Sequence, residues 1–215
     1  MDGGDHVSLL PSGRSENSGR IVFLNYEITR KMTEEIIIAG FGGQGVLSMG
    51  KILAYSAVMQ NMEVSWMPSY GPEMRGGTAN VTVIISDERI SSPIVRHFDT
   101  AIILNQQSLD KFEVAIKPGG VLIYDINGIT RHPERKDITI YRVNATEEAS
   151  KMNNVKIFNM IVMGGFIKVK PIIELENVIK GLKKSLPERN HSLIPLNEKA
   201  LIRGEQIIEE VWKAN

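Results

Sequence analysis

The chain has 215 residues, enough for one domain with a sizeable core and short for two. Hydrophobic residues make up 42% and charged residues 23%, an ordinary globular balance. Lys plus Arg equals Asp plus Glu at 25 each, so charge offers no reason to expect nucleic acid or an anionic membrane as partner, and little repulsion keeps the chain from larger assemblies. There is no cysteine, which excludes disulfides, thiolate zinc sites, a cysteine nucleophile and a cysteine-ligated iron–sulfur cluster from this chain.

Taken in chain order, residues 1–31 are rich in Gly, Ser and charge without sustained periodicity, and read as a disordered tail or an extension upstream of a start at Met32. Within it, Arg20 to Lys31 alternates enough to form a strand or short helix. The run Ile21 to Leu24 is too short for a signal peptide, and no apolar run approaches the ~20 residues that span a bilayer, so a cytoplasmic protein is expected. Ile36 to Ala39 is a continuous apolar run, the mark of a strand covered on both faces. A glycine-rich turn, Gly40 to Gly45, leads into a helix from Val46 to Gln60. A short strand, Glu63 to Met67, precedes the loop S-Y-G-P-E-M-R-G-G at 69–77. Thr78 to Ser86 reads as a strand that turns at 87–89 into a second hairpin arm, Ile90 to Val95. Further strands are expected at Thr100 to Leu104, Val121 to Tyr124 and Ile138 to Val143, with a helix from Gln106 to Ile116 ended by Pro118-Gly119-Gly120.

The last third reads as helical: Ala145 to Asn153, Val155 to Val169, Pro171 to Leu186 with Pro171 as its first residue, and Glu198 to Lys213. Gly164-Gly165 costs helix stability and predicts close packing against another element. Asn159, in the same apolar helix, reads as a satisfied core hydrogen-bonder. The ten methionines read mainly as core. The expected fold class is α/β: a three-layer sandwich whose mixed, largely parallel sheet is flanked by helices.

Two loops carry the candidate chemistry. Gly40-x-Gly42-x-x-Gly45 stands between a strand and a helix, where glycines allow a tight turn and bring backbone N–H groups close to a phosphate. A dinucleotide site also needs an acid at the end of the second strand, and Ser65-Trp66-Met67-Pro68 has none. A purely structural turn, or a site for another anionic group or a partner's backbone, remain as readings. In the second loop Pro72 and three glycines hold Arg75, whose fork suits a carboxylate or phosphate; the alternative is an Arg75–Glu73 pair that only stiffens the turn. The four histidines are scattered, no nucleophile motif is present, and neither a metal site nor a catalytic residue is assigned.

I-I-I-A-G-F-G-G-Q-G-V followed by S-Y-G-P-E-M-R-G-G-T-A-N resembles the gamma subunit of the 2-oxoacid:ferredoxin oxidoreductases, supported by K-P-G-G-V-L-I-Y-D at 117–125 and L-N-E-K-A at 196–200. The resemblance covers Glu35 to the C-terminus and implies one gamma-type domain over 32–215. It implies a non-autonomous subunit of a complex that decarboxylates a 2-oxoacid to an acyl-coenzyme A and reduces ferredoxin. Thiamine diphosphate, magnesium, [4Fe–4S] clusters and coenzyme A belong to that complex, none bound by this chain alone. Its partners are the alpha and beta subunits, a ferredoxin-like subunit and ferredoxin. The substrate leans to 2-oxoglutarate or a broad 2-oxoacid range. On this reading Gly42, Gly43, Gln44, Gly45, Tyr70, Arg75, Gly76 and Gly77 form one rim surface, facing coenzyme A or a neighbouring subunit. The alternative is a free-standing dinucleotide-binding α/β oxidoreductase; a third possibility is an α/β protein without ligand, in which both loops are only turns.

Overall fold

The computed structural model describes residues 32–70 and 77–214; the side chain of Tyr70 and the proposed tail at 1–31 lie outside the described residues. Seven strands form one sheet: β1 (Thr33–Phe41), β2 (Glu63–Tyr70), β3 (Thr78–Ser86), β4 (Phe98–Ile103), β5 (Ile116–Asp125), β6 (Thr139–Val143) and β7 (Glu209–Trp212). Their order across the sheet is β2-β3-β1-β4-β5-β6-β7. Strands β1, β4, β5 and β6 run parallel, while β3 is antiparallel to both β1 and β2, and β7 is antiparallel to β6. The helices are α1 (Val46–Met59), α2 (Gln106–Phe112), α3 (Ala145–Lys151), α4 (Phe158–Val169), α5 (Leu175–Ser185) and α6 (Ile194–Ile207).

The apolar run in β1 serves two cores, because alternate side chains leave opposite faces of a strand. Ile36 and Ile38 pack with Met49 and Leu53 of α1, Phe166 of α4, Leu182 of α5 and Leu201 of α6. Ile37 and Ala39 pack on the other face with Leu109 of α2, Phe98, Leu122 and Tyr124. The sandwich therefore has three layers, with most of the helices on one side. Met49, Met160 and Met163 are buried in the heavier layer, whereas Met59 and Met67 are exposed. Among the described residues no helix is long and apolar enough to cross a membrane.

Four local expectations change. Ile90 to Val95 is irregular rather than a hairpin arm, because both edges of β3 are already taken by β1 and β2. The chain leaving β3 is instead tied to the start of β1, where the Met32 and Asp87 backbone amides bond to Asp87 Oδ2 and Met32 O at 3.0 and 3.1 Å. Pro118-Gly119-Gly120 does not end a helix: α2 stops at Phe112, and these residues form an irregularity inside β5, with Gly119 at φ 77°. Pro171 precedes a helix that starts only at Leu175. The final helix stops at Ile207, and the next residues become β7 because β6 offers an open edge. That strand is locked by Arg142 to Glu209 and Tyr141 to Glu210, both at 2.9 Å, and by Lys136 standing 4.3 Å over the Trp212 ring.

The glycines of α4 and α6 bring two helix backbones into contact. A Cβ on Gly164 would overlap the Leu201 carbonyl, and one on Gly204 would overlap the Ile161 carbonyl. Gly204→Ala is therefore expected to force the helices apart and lower stability by about 1–3 kcal/mol, read as a lower urea midpoint at unchanged slope.

Candidate functional site

The glycine loop leaves the C-terminal end of β1, and the second loop leaves the C-terminal end of β2. Because β3 pairs with both strands, Phe41 stands opposite Thr78 and Tyr70 opposite Ala79, so the two strands end at the same rim. The Gly42 N–H donates to the Gly77 carbonyl at 2.9 Å, which joins the start of one loop to the end of the other. Gly43 and Gly45 take φ values of 101° and 76°, in the left-handed region that suits glycine. The arms of the parallel strands β1 and β4 carry α1 on one face of the sheet and α2 on the other. The loop thus lies at the place where open α/β sheets form a crevice.

Gln44 works inward. Its Oε1 accepts from the Phe41 amide at 2.6 Å and its Nε2 donates to the Leu104 carbonyl at 3.2 Å, stapling the loop to the end of β4. Gly45 is the N-cap of α1 and brings no side-chain cap; the first turn contains no acidic residue. The N–H groups at the start of a helix lack intrahelical partners and carry its positive end, so they attract anions. Phe41, Gly42, Gly43, Gly45, Val46 and Ser48 are among the residues lining a cavity of about 440 Å³ at this helix start, within the range of ligand pockets.

Gly42, Gly43, Gln44, Gly45 and Gly77 are thereby brought together, together with the backbone of Tyr70. Arg75 and Gly76, and with them the possible Arg75–Glu73 pair, lie outside the described residues. Asn159 differs from expectation. It is 8% exposed at the first turn of α4, yet its carboxamide forms no hydrogen bond to a described residue. Its amide nitrogen is turned toward Gly45, on the side where any other residue would carry its Cβ. Sequence gave only a polar residue in an apolar helix as a signal; the proximity to a loop 114 positions earlier is tertiary.

Two other chemistries are poorly served. A dinucleotide fold sets the second parallel strand beside the first, but here antiparallel β3 intervenes, so the end of β2 is not adjacent to β1. Among the described residues no three His, Asp or Glu side chains gather as a metal site. At the same rim Asp125 is a structural acceptor: it takes hydrogen bonds from the Ala145 amide at 2.9 Å and the Thr146 hydroxyl at 2.7 Å, fixing the start of α3. Burial pushes its carboxyl above the usual range, while the Thr146 and Ala145 bonds pull the other way.

The fold and rim define an α/β subunit whose glycine loop stands at the uncapped start of α1. The family model described as pyruvate ferredoxin/flavodoxin oxidoreductase matches residues 35–207, and the chain belongs to this family, with gamma-subunit relatives. It is 35% identical over 185 residues to the 2-oxoglutarate synthase subunit KorC of Methanocaldococcus jannaschii, covering 84% of this chain and 97% of the relative. It is 43% identical over 127 residues to the ketoisovalerate oxidoreductase subunit VorA of Methanothermobacter thermautotrophicus, but covers only 26% of that longer chain. The oxoacid ferredoxin oxidoreductase gamma subunit of Geobacter sulfurreducens shares the fold at TM-score 0.72 and 27% identity, over 82% of this chain and 96% of the other. These relatives lend no support to the free-standing dinucleotide enzyme.

Gln44→Ala leaves the Phe41 amide and the Leu104 carbonyl without their side-chain partner. The expected outcome is a loss of about 1–3 kcal/mol, seen in chemical denaturation, together with faster hydrogen exchange at the Phe41 amide.

Proposed function

We propose that this chain is the coenzyme A-facing gamma subunit of a complex that oxidatively decarboxylates a 2-oxoacid, transfers the acyl group to coenzyme A and passes electrons to ferredoxin. The observation that supports this reading is the Gly42–Gly77 bond, which ties the glycine loop to the residue before β3 beside the uncapped start of α1 and a cavity of ligand size. Backbone N–H groups there suit the phosphates of coenzyme A, and Gly42, Gly43 and Gly45 let them approach without side-chain obstruction. From the second loop, Arg75 with Tyr70, Gly76 and Gly77 are the further binding candidates, the guanidinium fork of Arg75 being suited to phosphate. Gln44 positions the loop rather than the ligand. A fold neighbour, the 2-oxoglutarate:ferredoxin oxidoreductase of Magnetococcus marinus, was solved with 2-oxoglutarate, coenzyme A and succinyl-CoA bound; this chain corresponds to 33% of it, at TM-score 0.74 and 21% identity.

The rest of the reaction belongs to companions. Without cysteine this chain cannot ligate a cluster through thiolates, and it carries no Gly-Asp-Gly followed by an Asn at the spacing that binds magnesium and the diphosphate. Alpha and beta subunits, a ferredoxin-like subunit and external ferredoxin supply those centres in the cytoplasm. The sheet edge supports such assembly: β2 is a terminal strand, and Trp66, Met67, Val58 and Met59 around it are exposed, a surface suited to burial by a partner. The names of the relatives span 2-oxoglutarate, ketoisovalerate and pyruvate, as expected when the oxoacid is selected on another subunit.

The test is acyl-transfer by the assembled complex over a coenzyme A titration. Gly43→Val, strained at a φ of 101°, and Arg75→Ala are expected to raise the KM for coenzyme A by about tenfold or more, with no change in the KM for the oxoacid. Unchanged coenzyme A saturation and unchanged assembly in both variants refute the reading. A panel of oxoacids assayed on the same complex identifies its substrate.

A further inference from the structure

Strands β5, β6 and β7 carry a second constellation, on the face of the sheet that α2 covers further along. Tyr124 of β5 stands opposite Arg142 of β6, and Ile140 of β6 stands opposite Trp212 of β7. With His132 and Lys136, from the chain between β5 and β6, they line a cavity of about 210 Å³. Tyr124 is 4% exposed, and its hydroxyl makes no hydrogen bond to a described residue. Among the described residues the one fully buried side-chain polar atom without a partner is Asn105 Nδ2. The Tyr124 oxygen therefore still reaches open space, and it does so in the cavity it lines. Burial pushes this hydroxyl above its usual range, with Arg142 pulling the other way, which keeps it a proton donor. Arg142 gives only its Nε to Glu209, at 2.9 Å, and its two terminal nitrogens have no described acceptor. Lys136 holds its ammonium over the Trp212 ring and pairs with no described carboxylate. Buried polar groups are almost always paired, so a buried hydroxyl and the open end of a guanidinium in one small cavity mark a place where a ligand supplies the acceptor.

We propose that this cavity binds a small organic carboxylate, whose oxygens accept from the Tyr124 hydroxyl and the terminal nitrogens of Arg142 and whose apolar body lies against Ile140 and Val211. The planar fork of Arg142 matches a carboxylate, and Glu209 holds that fork in place from its Nε side without occupying its end. Lys136 and Arg142 bring two positive charges and Glu209 one negative, which leaves one unit for a monoanion rather than a phosphate dianion. The cavity is smaller than pockets for drug-sized ligands, so its occupant has only a few carbons. The site is separate from the glycine rim and does not rest on the coenzyme A reading: β5 and β6 lie two and three strands across the sheet from β1.

Butyrate is the probe, titrated into the full chain and followed by the amide resonances of 134–136 and 209–212, with acetate, butyramide and inorganic phosphate in parallel. Butyrate is expected to bind saturably and about fourfold or more tighter than acetate, the worth of one buried methylene. Butyramide keeps the body without the charge and is expected to leave the resonances unmoved. Tyr124→Phe is expected to weaken butyrate about tenfold without lowering the urea midpoint, because the hydroxyl holds no other residue in the free protein. Lys136→Gln, which leaves the β6–β7 pairs in place, is expected to weaken butyrate and acetate alike. A wild type that binds no butyrate overturns the proposal, as does butyramide binding as well as butyrate. Wild-type butyrate affinity in Tyr124→Phe also overturns it, since a tyrosine that only fills the core behaves in that way. Phosphate binding tighter than butyrate overturns the carboxylate assignment.

Discussion

Strand β3 organises the rim by pairing along its length with two strands at once. On one side Thr33 to Phe41 run opposite Ser86 to Thr78, and on the other Glu63 to Tyr70 run opposite Ser86 to Ala79. Two parallel strands are thereby brought to the same level without touching each other. Their following loops begin side by side, and the bond from Gly42 to Gly77 closes the arrangement. Had β2 paired with β1 directly, an acid at its end could have faced a ribose as in dinucleotide folds. Intervening β3 removes that option and leaves a rim built from the glycine loop and the start of β3.

Such a site depends on backbone placement more than on side-chain identity. Gln44 uses both ends of its carboxamide to hold the turn, leaving the N–H groups at the start of α1 available. Helix ends cost no side-chain entropy when they bind, since their donors are already oriented. That division suits a subunit of a larger catalyst. Lacking cysteine, the chain leaves any thiolate-ligated centre to a companion.

Rigidity at the edge comes from the layer beneath it. Close contact through Gly164 and Gly204 sets α4 against α6, and Met160, Met163 and Phe166 anchor α4 on the sheet. The position of Asn159 is a consequence of that packing, because its helix is held along most of its length. A small-residue contact in the middle of α4 is in this way linked to the orientation of a carboxamide at its first turn.

The sequence by itself determined the elements whose signal is local. Ile36 to Ala39 could only be a doubly covered strand, the glycines of 40–45 could only be a tight turn into a helix, and the pair of loops was enough to point to the family. Strand ends and helix boundaries that depend on a neighbour were not readable: 209–212 becomes a strand because β6 has a free edge, and 90–95 stays irregular because β3 has none. The same holds for the rim. Glycine spacing marked one loop and arginine the other, but only the tertiary structure decided that Gly42 meets Gly77 and that Asn159 turns toward Gly45. Periodicity records which face of an element is covered, whereas contacts between residues far apart in the chain are set by packing of whole layers.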